Sequence, residues 1–180
     1  MFLNFFFKLS PSIFLHSYTI AVPNSIPSGH EYVNLAEVNN YCCIVELNQS
    51  YSIFALYAQC LIPEVDKENI VELDRSVDYF FTSEMSGCQF LIYKSANGTI
   101  YVEHNNFFHN KANYEIHYYQ VLNSNPTVIY AIHQSEVSTT EYGIEYPIAE
   151  TRCIVGVRNG DKWTFYVKSE RQINQIEIQY

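Results

Sequence analysis

VDYFFTSEMSGCQFLIYKSANGTIYVEHNN, residues 77–106, carries two apolar runs on either side of Asn97-Gly98. Asn-Gly between such runs is a strong hairpin signal, because both residues tolerate positive φ. Gln89 to Lys94 and Thr99 to His104 are the two arms. A register that faces Phe90 with Val102 and Ile92 with Ile100 gathers the apolar residues on one side. That register sets Cys88 opposite His104 on the same side, where directly opposed Cβ atoms sit roughly 4.5–5.5 Å apart. The other side pairs Gln89 with Glu103 and Leu91 with Tyr101. A one-residue slip would destroy the apolar match. Upstream, Val77 to Thr82 reads as a strand. Ser86-Gly87 then allows a reversal, so that Thr82 ends one strand, Cys88 begins the next, and Thr82 lies near the His104 ring. Gly87 also lets the backbone beside Cys88 approach a substrate closely.

Outward from this hairpin the chain is mostly β. Tyr41 to Leu47 and Tyr51 to Ala58 are β-rich runs, and Asn48-Gln49-Ser50 between them predicts a second hairpin. Ile70 to Leu73, Thr127 to His133, Arg152 to Val157, Lys162 to Val167 and Ile173 to Gln179 read as further strands. Asn159-Gly160 joins the Ile154 run to the Trp163 run. Pro23 to Gly29 reads as a loop, and Pro63 to Asn69 as a polar connection with room for a helical turn. Asn105 to Tyr119 shows no clear period. The pattern predicts one α/β domain over residues 1–180, a β-rich mixed-sheet sandwich with peripheral helices and loops.

Bulk composition narrows the function classes. The 180 residues are enough to bury a core without staples. The formal net charge of −9 gives no footprint for nucleic acid and argues against an anionic membrane surface. Five cysteines (Cys42, Cys43, Cys60, Cys88, Cys153) with no C-x-x-C spacing point to neither a disulfide framework nor a zinc ribbon. His104, His109, His117 and His133 show no metal-ligand spacing, and no P-loop or G-x-G-x-x-G occurs. No cofactor and no metal are therefore expected, and a monomer is. The apolar N-terminus up to Ile20 is broken by Lys8 and Pro11 and lacks a signal cleavage pattern, so it reads as a segment packed on the core.

The pairing of a thiol with an imidazole points to nucleophilic chemistry. A free cysteine is only a few per cent thiolate at neutral pH, and a neighbouring histidine activates it. Cys88 is the candidate nucleophile, His104 the candidate base, and Thr82 the group that orients the ring. Backbone N–H groups at Ser86, Gly87 and Cys88 would hold an oxyanion. His109 is a second candidate base. Tyr142 is a candidate for lining the cleft.

Met85-Ser86-Gly87-Cys88, preceded by Val77-Asp78, Phe80-Phe81 and Thr82, resembles the motif of Burkholderia lethal factor 1 and the cytotoxic necrotizing factor toxins. Those proteins carry Leu-Ser-Gly-Cys and then a catalytic histidine on a following strand. Weaker echoes are Thr140-Glu141-Tyr142-Gly143 and Ile154-Val155 leading into Arg158. The resemblance implies a glutamine deamidase on an α/β sandwich, with Cys88, His104 and Thr82 in the catalytic roles. It also implies a bacterial toxin or effector that is secreted or delivered into a host cytosol. The implied partner is a host protein, a translation-initiation RNA helicase or a Rho GTPase. Met85 departs from the leucine of the relatives, and the interval from Cys88 to His104 is somewhat longer. Two other classes remain open on the residues alone. One is an acidic, non-enzymatic interaction module. The other is a cysteine peptidase or transglutaminase using the same Cys-His pair.

Overall fold

The computed structural model describes residues 2–23, 26, 28–40, 42–48, 50, 52–58, 70–83, 85, 88–106, 112–124, 127–134, 144–146, 153–169 and 172–180. The strands are β1 (Thr19–Ala21), β2 (Gly29–Asn39), β3 (Cys42–Leu47), β4 (Ile53–Ala58), β5 (Ile70–Glu72), β6 (Tyr79–Thr82), β7 (Cys88–Lys94), β8 (Ile100–Asn106), β9 (Thr127–Gln134), β10 (Ile144–Tyr146), β11 (Cys153–Asn159), β12 (Lys162–Lys168) and β13 (Ile173–Gln179). The helices are α1 (Phe2–Leu9), α2 (Pro11–Ser17) and α3 (Ala112–Ser124). An eight-stranded sheet runs β1-β3-β2-β4-β6-β11-β12-β13, and a five-stranded sheet runs β10-β9-β7-β8-β5. Both are mixed: β1 with β3, β4 with β6 and β9 with β10 are parallel pairs. The protein is an α/β, β-rich fold.

Alternation along the strands explains the layering. In β6, Phe80 and Thr82 face one way and Phe81 the other. Phe80 joins Trp163 and Phe165 of β12 and Phe90, Ile92 and Val102 of the smaller sheet in the core between the sheets. Phe81 joins Phe7, Phe14 and Leu15 beneath α1 and α2 on the outer side of the larger sheet. The N-terminal segment therefore forms two short helices that cover that sheet. Pro11 opens α2, where its fixed φ suits the first turn. Asn4 of α1 completes the hydrogen bonding of β2 beyond the reach of β4: its Oδ1 accepts from the Leu35 N–H at 2.8 Å. The Lys168 ammonium donates to the Leu15 and Tyr18 carbonyls at the end of α2. On the far side, Val121 of α3 packs on Leu91, Tyr93 and Ala131 of the smaller sheet. The layers are thus helices, large sheet, small sheet, helix.

Two pairings differ from the sequence expectation. β3 and β4 do not form a hairpin, because β2 lies between them and is antiparallel to both. They therefore run in the same direction. Asn48 stays bonded to β2 through its N–H to the Tyr32 carbonyl at 2.8 Å. The alternating Val33 and Leu35 of β2, both buried, were the missed signal. The hairpin of β7 and β8 does form, but two residues away from the expected register. Phe90 pairs with His104, Ile92 with Val102, and Cys88 with Asn106, while Gln89 pairs with Asn105 and Leu91 with Glu103. The turn decides this. Gly98 adopts φ 89°, its N–H donates to the Ser95 carbonyl, and the Ser95 N–H donates to Thr99. A turn followed by a left-handed glycine places five residues between the paired Lys94 and Ile100. A two-residue shift keeps parity, so the apolar face is the expected one. Asn159-Gly160 makes the expected turn, with Gly160 at φ 62° between β11 and β12. Pro63 to Asn69 lies outside the described residues, as does most of the sequence at 135–152.

Candidate active site

Thr82 is the last residue of β6, and its side chain faces the interior from the large sheet. His104 faces the same interior from β8 of the small sheet. Both are 0% exposed. The Thr82 Oγ1 lies 2.5 Å from His104 Nδ1 and 2.6 Å from the Ala58 carbonyl oxygen at the end of β4. The hydroxyl has one proton, and a carbonyl can only accept. The proton therefore goes to Ala58, and Nδ1 must donate its own to Thr82. This leaves the Nε2 lone pair free in the neutral ring. Nε2 is buried and has no hydrogen-bond partner among the described residues. Leaving a buried polar atom unmet costs about 1–3 kcal/mol, which the rest of the fold must offset.

The ring is held on its other side by aromatic packing. Phe90, directly opposite on β7, meets it edge to face with centroids 6.3 Å apart. Phe90 in turn packs on Phe80 and Phe165. Cys88 begins β7 two residues before Phe90 and so shares its face. It is 5% exposed. The expected direct opposition of Cys88 and His104 is replaced by a diagonal one, for which α-carbon separations run roughly 7–8 Å. Hydrogen bonds at catalytic pairs are commonly long before substrate arrives.

Behind His104, on the outer face of the small sheet, its neighbour Glu103 is 2% exposed and takes a hydrogen bond from His117 Nε2 of α3 at 2.9 Å. Burial, and then the Glu103 carboxylate, push the nearby Tyr93 phenol upward. His117 thereby tethers α3 to β8. The spacing of His117, Tyr118 and Val121 on one helical stripe was the signal for that helix. The approach to β6 is tied down by Arg158. Its Nε donates to the Val77 carbonyl at 2.8 Å, and its Nη2 to the Arg75 carbonyl and to Asp78 Oδ1 at 2.6 Å. Ser86, Gly87, His109 and Tyr142 lie outside the described residues. Among the described residues no three His, Cys, Asp or Glu side chains converge as a metal site would require. No helix among them is long and apolar enough to cross a membrane.

Fold and site together define a two-sheet α/β sandwich that places a threonine-anchored histidine and a cysteine on one interior face. No family model matches the chain, and no curated protein does. Among solved structures, it is similar to the C-terminal domain of CNFy from Yersinia pseudotuberculosis. That similarity is 11% identity over 99% of this chain and 97% of that chain, with a TM-score of 0.41. Values this low do not establish a shared fold.

Proposed function

We propose that this chain is a cysteine-dependent protein glutamine deamidase of the toxin or effector kind. The observation that carries the reading is the Ala58–Thr82–His104 chain of hydrogen bonds. It fixes the tautomer in which Nε2 is the proton acceptor, on the face that also carries Cys88. The Met85-Ser86-Gly87-Cys88 motif and the residues before it support the choice of reaction.

In this reading His104 Nε2 takes the Cys88 proton as the sulfur attacks the side-chain carbonyl of a glutamine. The developing oxyanion is held by backbone N–H groups near Cys88. Nε2 returns the proton to the departing nitrogen, and ammonia leaves a thioester on Cys88. Water, deprotonated by the same Nε2, attacks the thioester. Glutamate is released and the thiol is restored. Thr82 holds the ring throughout and keeps Nδ1 protonated. The substrate glutamine belongs to a host protein, with a translation-initiation RNA helicase and Rho GTPases as candidates.

The test is peptide mapping by mass of those host proteins after incubation with the wild type and with Cys88→Ser. One glutamine converted to glutamate by the wild type alone supports the reading. Conversion by both proteins contradicts it. A cut chain indicates a peptidase, and an amine joined to the glutamine indicates a transglutaminase.

A further inference from the structure

The outermost strand of the large sheet carries an edge left open among the described residues, and we propose that it pairs with the same strand of a second copy of this chain. β13 lies at the end of the sheet and bonds only to β12 among the described residues. Which of its backbone groups face outward follows from its two ends. The Ser169 N–H donates to the Gln172 carbonyl at 2.9 Å, and the Tyr180 N–H donates to the Asp161 carbonyl at 3.0 Å. Hydrogen-bonded and non-bonded pairs alternate along an antiparallel ladder. Asn174, Ile176 and Ile178 therefore bond to β12. Ile173, Gln175, Glu177 and Gln179 direct their N–H and C=O groups away from the sheet.

Soluble proteins guard such an edge with lysine, proline or a bulge. β13 (INQIEIQ) has none of these, and it pairs with β12 in unbroken register over its whole length. Its one charge, Glu177, is already met by the Lys162 ammonium at 2.8 Å.

The sequence of β13 also fits its own reverse. An antiparallel pair centred on Ile176 sets Ile176 against Ile176 of the second copy, Gln175 against Glu177, Asn174 against Ile178 and Ile173 against Gln179. Every outward-facing residue then meets an outward-facing residue, so all four on each strand find partners. Centring on Glu177 would oppose two carboxylates, which destabilises a pair. Centring on Gln175 would leave Gln179 without a partner within β13. The Ile176 centre also joins the two sandwich interiors across the two-fold axis, giving an isologous contact. The sequence reading expects a lone chain; this edge argues for a pair.

Sedimentation of the full chain over a hundredfold range of concentration tests this, with Gln175→Pro and Gln175→Lys alongside. The Gln175 N–H points outward, so proline there removes an edge donor and spares the bonds to β12. The apparent mass of the wild type doubles as concentration rises. Both variants keep the wild-type circular dichroism and stay single. Lysine keeps the backbone intact and serves if proline disturbs folding. A wild type that stays single throughout overturns the proposal, as does a pair that persists in both variants.

Discussion

Thr82 is the residue on which the chemistry of the candidate site turns, because its single proton decides where the histidine keeps its own. Thr82→Ser retains the hydroxyl and should retain the tautomer. Thr82→Val keeps the shape but leaves Nδ1 and the Ala58 carbonyl without their partner. That loss is worth about 1–3 kcal/mol, equivalent to roughly five- to 150-fold in the rate at which Cys88 is alkylated. The same Thr82→Val change should lower thermal stability, whereas Thr82→Ser should leave it close to the wild type. A valine variant that alkylates as fast as the serine one would remove Thr82 from the site. Phe90 acts by packing. Phe90→Ala opens a cavity among Phe80, Phe165 and the His104 ring, and should cost about 3–5 kcal/mol in a denaturant titration. At this scale the sequence was informative about identity and less so about distance. Cys88, His104 and Thr82 could be picked from motif and parity. The diagonal placement of Cys88 could not, because it depends on the turn geometry at Gly98 rather than on any apolar pattern.

Among the elements, β11 shows how tightly the sandwich is built. A Cβ at Gly156 would lie 2.9 Å from the Phe80 Cβ and 3.0 Å from Phe165 Cε1. Gly156→Ala should therefore destabilise the protein by about 1–3 kcal/mol, read as a fall in the denaturant midpoint with an unchanged slope. No drop in midpoint would mean that β6 and β12 give way more easily than their packing implies. The hairpin of β7 and β8, the turn at Asn159-Gly160 and the strands β9, β11, β12 and β13 were legible, since alternation and Asn-Gly turns are local signals. The pairing of β3 and β4 was not. Asn48 to Ser50 looks like a hairpin turn, but the chain spends it crossing over β2, a choice made by tertiary burial of Val33 and Leu35. α3 escaped notice because its inward stripe is histidine, tyrosine and valine rather than leucine.

Across the whole molecule, stability has an acid limb that geometry assigns. Asp74 joins the segment before β6 to β2, with His30 Nε2 at 2.8 Å and the Ser76 N–H and hydroxyl on its other oxygen. Burial raises its carboxyl, but the Ser76 hydrogen bonds and the His30 ring outweigh it, so the group sits below its ordinary value. A depressed carboxyl stabilises the fold above the unfolded value near ~3.9 and loses that contribution as pH falls through the folded value. Asp74→Asn should therefore lower the melting temperature at neutral pH, and the gap should close in acid. A gap that is constant with pH would show that the carboxylate contributes through shape alone. The layered α/β class was readable from strand frequency, but the two-sheet partition was not, because it is fixed by contacts distant in sequence, such as Thr82 with His104. Those same contacts carry the central claim, that His104 activates Cys88. Cys43 and Cys153 are buried cysteines of the same chain, as hidden as Cys88, and serve as internal references. The rate of alkylation of each cysteine near neutral pH, mapped by peptide in the wild type and in His104→Asn, tests that claim most directly. Cys88 should react well ahead of Cys43 and Cys153 in the wild type and fall to their rate in the variant. A wild-type Cys88 no faster than those two would contradict it.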